Sequence, residues 1–137
     1  MRTSLLLATI LFSSLCINTA YAQTINIKAD SVYSFADIDV PPTPIKGMPF
    51  LYKEWSAKVK YPKQAKRLGI EGKVFITFIV DKDGSLGNPL IIRGIGAGCD
   101  AATIEAFKEM KLVWFAGKHN GEAVKTKMVL PFVFKLN

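Results

Sequence analysis

Hydrophobic side chains recur at every second position near the end of the chain. Val124, Met128, Leu130, Phe132, Phe134 and Leu136 share one face with Thr126, and Lys125, Lys127 and Lys135 share the other with Val129, Pro131 and Val133. Successive side chains of a strand point to opposite sides, so this alternation predicts a long strand from Val124 to Leu136 with one face in a core. Pro131 brings no N–H to a ladder, which leaves one side of the strand free there. A second alternation runs from Lys73 to Asp81. Val74, Ile76, Phe78 and Val80 are uniformly apolar, while the intervening positions mix Lys73 and Thr77 with Phe75 and Ile79. That pattern predicts a strand with one buried face and one partly covered face. Asp81-Lys82-Asp83-Gly84 is turn chemistry and closes it as a hairpin onto a further strand, Leu86–Arg93. Pro89 makes this third strand an edge or bulged one.

Helical spacing appears elsewhere. Leu51, Trp55 and Val59 are four residues apart and predict a helix from Met48 to Lys60, with Pro49 at its start. Tyr61-Pro62 ends it, because the residue before a proline disfavours the helical region. Pro62 then opens a short helix, since its missing N–H would have no helical partner there, and Gly69 supplies the left-handed stop. Ala101, Ile104 and Phe107, extended by Met110, predict a helix from Ala101 to Lys111 with Asp100 as its N-cap. Before it, Gly94, Gly96 and Gly98 suggest a phosphate loop. No lysine–serine pair follows and no parallel βαβ unit surrounds them, so the run is read as a turn.

The first residues follow a different logic. Arg2 precedes an apolar run from Leu5 to Ile17, and Ala20-Tyr21-Ala22 matches a small-x-small cleavage site before Gln23. This is the pattern of an export signal, and the run is short for a span of about 20 residues. The expected division is therefore a signal peptide at 1–22, an extended arm and linker at 23–47, and a folded domain at 48–137. An uncleaved signal anchor, single-pass with the domain on the periplasmic side of the inner membrane, is the alternative. Cleavage removes Cys16 and leaves Cys99 alone, either as a small buried apolar residue or as a thiol open to intermolecular pairing. Prolines 41, 42 and 44 favour extended chain in the linker.

Composition adds a constraint on partners. The chain of 137 residues is half hydrophobic and carries a formal charge of +7. That length allows one domain, and the basic charge suits acidic partners, although the lysines are scattered rather than clustered. Catalysis finds no support. His119 is the only histidine, so no serine or cysteine has a base partner, and Asp81 and Asp83 belong to the turn. Zinc spacing is missing, and the calcium-loop fragment at 81–85 lacks its distal glutamate. The reading is no enzyme, no cofactor, no metal and no small-molecule substrate. Nucleic acid is disfavoured as well, because Phe132 and Phe134 lie on the core face rather than on a stacking platform. A sheet with a free edge remains, and free edges recruit peptides by strand addition. A basic cell-wall or lipid-binding structural protein is the reading from another class.

Together these residues resemble the C-terminal domain of TonB, the energy transducer of outer-membrane transport. The resemblance is carried by Tyr61-Pro62, Ala65, Gly69-Ile70-Glu71-Gly72-Lys73-Val74, the alternating strand to Val80, Asp83-Gly84, Trp114 with Gly117, and the close at Phe134-Lys135-Leu136-Asn137. It implies an α+β fold, two helices packed on a three-stranded antiparallel sheet, here with an added N-terminal helix and arm. It further implies a periplasmic module that takes a short segment of an outer-membrane TonB-dependent receptor, or of another envelope protein, as a strand beside the last strand. The partner-binding residues implied are Lys58, Tyr61, Pro62, Val124, Lys125, Thr126, Lys127, Met128 and Val129. Lys58 stands where some members carry glutamine, and Ala116 where a proline is usual. The long proline-rich spacer and the membrane-helix histidine of a transducer have no counterpart here, which favours a stand-alone module over a short anchored transducer. A homodimer through open edges is compatible with the pattern.

Overall fold

The computed structural model describes residues 30–137. The expected export signal, Cys16 and the first part of the arm lie outside the described residues. Among the described residues no helix is long and apolar enough to cross a membrane.

The chain order is β1 (Val32–Ser34), a 3-10 turn (Phe35–Asp37), β2 (Thr43–Pro44), α1 (Met48–Lys58), α2 (Lys63–Arg67), β3 (Gly72–Val80), β4 (Leu86–Arg93), α3 (Cys99–Glu109), β5 (Trp114–Phe115), β6 (Gly117–His119) and β7 (Glu122–Phe134). The class is α+β. Strands β4, β3 and β7 form the expected antiparallel unit, with β3 in the middle. Its β3–β7 register runs unbroken from Gly72↔Phe134 to Val80↔Thr126. Two register shifts interrupt the β3–β4 ladder, as Pro89 in an edge strand led one to expect. The sheet is larger than the antiparallel unit. β1 joins the far side of β7 in parallel, pairing Val32↔Lys125, Tyr33↔Thr126 and Ser34↔Lys127. The arm is thus part of the sheet, and the sheet is mixed.

The alternation read from the sequence decides which face is covered. Val74, Ile76, Phe78 and Val80 of β3, with Met128, Leu130, Phe132 and Phe134 of β7, face the helices and are buried. From α1 come Leu51 and Trp55, both fully buried. Trp55 is central. Its ring lies 5.4 Å from Phe107 and 4.9 Å from Phe132, and its indole N–H donates to the Thr103 carbonyl at 3.2 Å. This bond crosses from α1 to α3 and satisfies the polar edge of a buried tryptophan.

Helix α3 departs from expectation in its start and its stripe. It begins at Cys99, and Gly98, at φ 85°, occupies the N-cap position. Asp100 therefore caps no helix. Its carboxylate turns back and accepts the Ile95 N–H at 2.9 Å, tying down the glycine run. The earlier start rotates the buried stripe to Cys99, Thr103, Ala106, Phe107 and Met110, leaving Ala101 exposed. The Thr103 hydroxyl is accommodated because it donates to the Cys99 carbonyl at 2.8 Å. Cys99 is buried, and burial together with Asp100 pushes its thiol pKa up, away from the reactive thiolate.

Candidate functional site

The features of interest converge on β7. Backbone groups of successive strand residues turn to opposite sides, so each residue serves one neighbour or the other. The Met128 carbonyl accepts a bond from the Thr77 hydroxyl at 3.0 Å, which places the Met128 backbone on the β3 side. Lys127, Val129, Pro131 and Val133 then turn their backbones to the far side. Pro131 fits that side because no partner there requires its missing N–H. Val129 and Val133 are 46% and 55% exposed.

Two segments use part of β7 already. The hairpin strand β6 pairs with it from Gly117↔Val124 to His119↔Glu122, through a turn whose Asn120 and Gly121 both have positive φ. Asn-Gly suits such a tight hairpin turn. Strand β1 covers Lys125–Lys127. Beyond that point the arm leaves β7 through its 3-10 turn. Among the described residues, Val129 to Phe134 pairs only with β3. A groove lined by Ser34, Phe35, Lys127, Met128, Val129 and Leu130 opens where the arm departs, and Phe35 stands exposed at its wall.

The arm is held by side chains that no helical or strand period marks. Asp30 pairs with the Lys125 ammonium, and the Tyr33 ring lies 5.1 Å from the His119 ring. Further along, the Asp39 carboxylate accepts the Asn120 N–H at 2.6 Å and lies 3.8 Å from His119 Nδ1. Asp39 and Val40 also donate their N–H groups to the Lys118 carbonyl, at 2.9 and 3.1 Å. The lone histidine is therefore a half-buried strand residue under the arm. A signal existed for β1 in the adjacent Val32 and Tyr33, both strand-favouring residues. The prolines that follow them obscured it.

The partner residues expected from the resemblance fall in two places. Val124, Lys125, Thr126, Lys127, Met128 and Val129 lie in the first half of β7. Thr126 is fully buried against the core, and Lys125–Lys127 carry β1. Tyr61 and Pro62 lie by the other end. The Tyr61 ring stands 5.1 Å from Phe134, its hydroxyl donates to the Ile70 carbonyl, and the Lys66 ammonium sits 5.6 Å over the ring. Ten residue steps along the strand separate Val124 from Phe134, about 33 Å at the usual rise. Lys58 lines a third surface, a cleft of about 540 Å³ between α1 and the segment after α3, with Ile45, Phe50, Met110 and Leu112. The structure does not bring Lys58 to β7.

Charge gives the arm contact a pH window. The hydrogen bond and the charge of Lys125, with a smaller contribution from Lys82, hold Asp30 below the usual carboxylate range. The Asp30 hydrogen bond and charge, with Asp81 further off, push Lys125 up. A lowered Asp30 pKa favours docking above the undocked value, near pH ~3.9, and the benefit disappears as pH falls through the docked value. A raised Lys125 pKa favours docking below the undocked value, near pH ~10.4, and the benefit disappears as pH rises through the docked value. Exchange protection of the Lys127 amide is expected to hold near neutrality and to fall below pH ~4, while amides of β3 keep theirs. Equal protection at pH 3 and pH 7 would show that the ion pair does not hold the arm.

The profile of the family described as Gram-negative bacterial TonB protein C-terminal matches residues 57–136. A solution structure of the Helicobacter pylori TonB C-terminal domain is 24% identical over 64% of this chain and 90% of that one, with a TM-score of 0.47. A longer piece of the same domain is 27% identical over 62% and 78%, with a TM-score of 0.42. The Pseudomonas aeruginosa TonB C-terminal domain is 21% identical over 78% and 96%, with a TM-score of 0.46. No curated protein matches the chain.

Proposed function

The chain belongs to the TonB C-terminal family, and on that premise we propose that it is a periplasmic module that binds a short extended segment of an outer-membrane TonB-dependent receptor, or of another envelope protein, as an added strand on the far edge of β7. The family is that of the C-terminal domain of the Gram-negative bacterial TonB protein, a domain of TonB-dependent transport. Export by a cleaved signal at 1–22 delivers the domain at 48–137 to the compartment where such segments are displayed. The observation that carries the reading is the edge itself: Val129, Pro131 and Val133 turn their backbones away from β3, both valines are exposed, and the edge tolerates a proline between them. Strand addition uses backbone bonds for affinity and alternate side-chain pockets for selectivity. Exposed Val129 and Val133 supply apolar contacts of that kind along the edge.

The edge can be cut without touching the core ladder. A proline at Thr126 or Met128 would remove an N–H that faces β3 and weaken the fold, so the informative position is Val129. Val129→Pro is expected to keep the thermal transition within a few degrees and to weaken binding of a synthetic peptide from the plug segment of a TonB-dependent receptor by about tenfold, the equivalent of one lost net hydrogen bond. The check is a calorimetric titration beside Val129→Ala as the control for side-chain loss. Unchanged affinity in the folded proline variant would move the interface off β7.

A further inference from the structure

A partner strand that runs along the far edge of β7 from Val133 back to Lys125 overlaps the chain's own β1 at Lys125–Lys127. Resting on the strand-addition reading, we propose that the segment Asp30–Ser34 is a built-in competitor for the β7 edge, and that its acidic and aromatic contacts describe the partner strand that displaces it.

Three features make it a competitor rather than a fixed part of the sheet. First, the pairing is short and parallel. It engages only Val32, Tyr33 and Ser34, against nine consecutive β3 positions on the other side of β7. Parallel pairing is slightly weaker per residue than antiparallel pairing. Second, it buries little. Val32 and Ser34 are exposed and Tyr33 is half-buried, so no core side chain has to move when the segment lifts. Third, the segment has a second attachment of its own. Asp39 and Val40 bond to Lys118, and β2 pairs with β5 through Thr43↔Phe115 and Pro44↔Trp114. Residues 30–38 can leave β7 while the chain stays anchored at Asp39. The 3-10 turn Phe35–Asp37, which has no buried residue, lies between the two attachments and supplies the pivot.

The contacts also state what the edge selects. Lys125 offers a partly exposed ammonium to a carboxylate, and Asp30 fills that role. His119 offers an imidazole face, and Tyr33 fills that one. An incoming extended segment with an acidic residue followed three positions later by an aromatic one reproduces both contacts in the parallel direction. A strand carrying lysine at the first position meets Lys125 with like charge and is rejected. The docked arm lowers apparent affinity for a partner that reaches Lys125–Lys127 in proportion to the fraction of time that part of the edge is free.

The test uses the full chain. Asp30→Lys with Tyr33→Ala loosens the arm at residues outside the core, and retention of the thermal transition checks the fold. Two labelled probes are titrated by fluorescence anisotropy: a synthetic peptide of residues 30–36, and a peptide from the plug segment of a TonB-dependent receptor. Both are expected to bind the loosened variant about tenfold more tightly than the natural chain, as for an edge free about one-tenth of the time. The 30–36 peptide with Asp30→Lys is expected to lose most of that affinity. Equal binding of the receptor peptide to both proteins overturns the competitor and leaves strand addition standing. Binding of neither probe to the loosened variant overturns strand addition, and the competitor with it.

Discussion

Replacing Trp55 by alanine is expected to cost about 3–5 kcal/mol of stability, the range for emptying a buried tryptophan site. Trp55 is fully buried and touches both layers: Phe107 on α3 and Phe132 on β7. Its ring also stacks 5.9 Å from Tyr52 on its own helix. Two costs coincide. The void removes aromatic contacts on three sides, and the Thr103 carbonyl loses the indole N–H that satisfies it. A domain of this size shifts its midpoint by about 4–8 °C per kcal/mol, so Tm is expected to fall by roughly 15–30 °C. Trp55→Phe separates the terms. It keeps most of the packing and forfeits only the hydrogen bond, so about 1–3 kcal/mol is expected. Thermal and urea unfolding followed by far-UV circular dichroism measures both. A Trp55→Ala domain that melts within a few degrees of the natural one would show that the helices are held to the sheet elsewhere.

Gly84→Ala is expected to be nearly as damaging, although it adds one methyl group in a surface turn. Gly84 closes the β3–β4 hairpin at φ +84°, a conformation that costs an L-residue about 1–2 kcal/mol. The larger cost is contact. A Cβ there would run into the carbonyl of Trp114, whose own N–H donates to the Gly84 carbonyl at 3.1 Å. The obstacle is backbone, so no rotamer change relieves it. Either the turn shifts and loses that bond, or β5 is pushed off and the Trp114 ring leaves Phe78, 5.4 Å away. A total of about 2–4 kcal/mol is expected from strain plus one broken buried contact. Gly121→Ala is the control. It has φ +78° with nothing near its Cβ, so it should cost only the conformational part. Equal losses for the two would mean that the Trp114 carbonyl yields freely.

These contacts also mark where the sequence was legible. The long strand, the central strand and the first helix stood out because each carries a repeating pattern: period two at Val74–Val80 and Val124–Phe134, period four at Leu51 and Trp55. The glycine-and-proline punctuation at Pro62, Gly69 and Gly84 fixed the short helix and the hairpin. The start of α3 was misplaced because Asp100 is a good cap residue, and only the folded loop shows its carboxylate committed to the Ile95 N–H. β1 and β6 escaped for another reason. They are each three residues long, too short for any period, and they are strands only because β7 offers them a ladder. The role of His119 was hidden with them, since its neighbours Tyr33 and Asp39 come from the far end of the domain in sequence. The family motif located the last strand as the place to look. It could not show that Lys125–Lys127 is already paired, nor that Lys58 and Tyr61 stand away from that segment.

Strand addition on β7 is tested most directly by residue-resolved titration. The amide spectrum of the ¹⁵N-labelled chain is followed while a peptide from the plug segment of a TonB-dependent receptor is added. Strand addition on the far edge predicts that the largest shifts, with new protection from exchange, fall on Lys127, Val129 and Val133, while β4 and the cleft beside Lys58 stay unchanged. Shifts centred on β4 or on that cleft, with Val129 and Val133 unmoved at saturation, would contradict it.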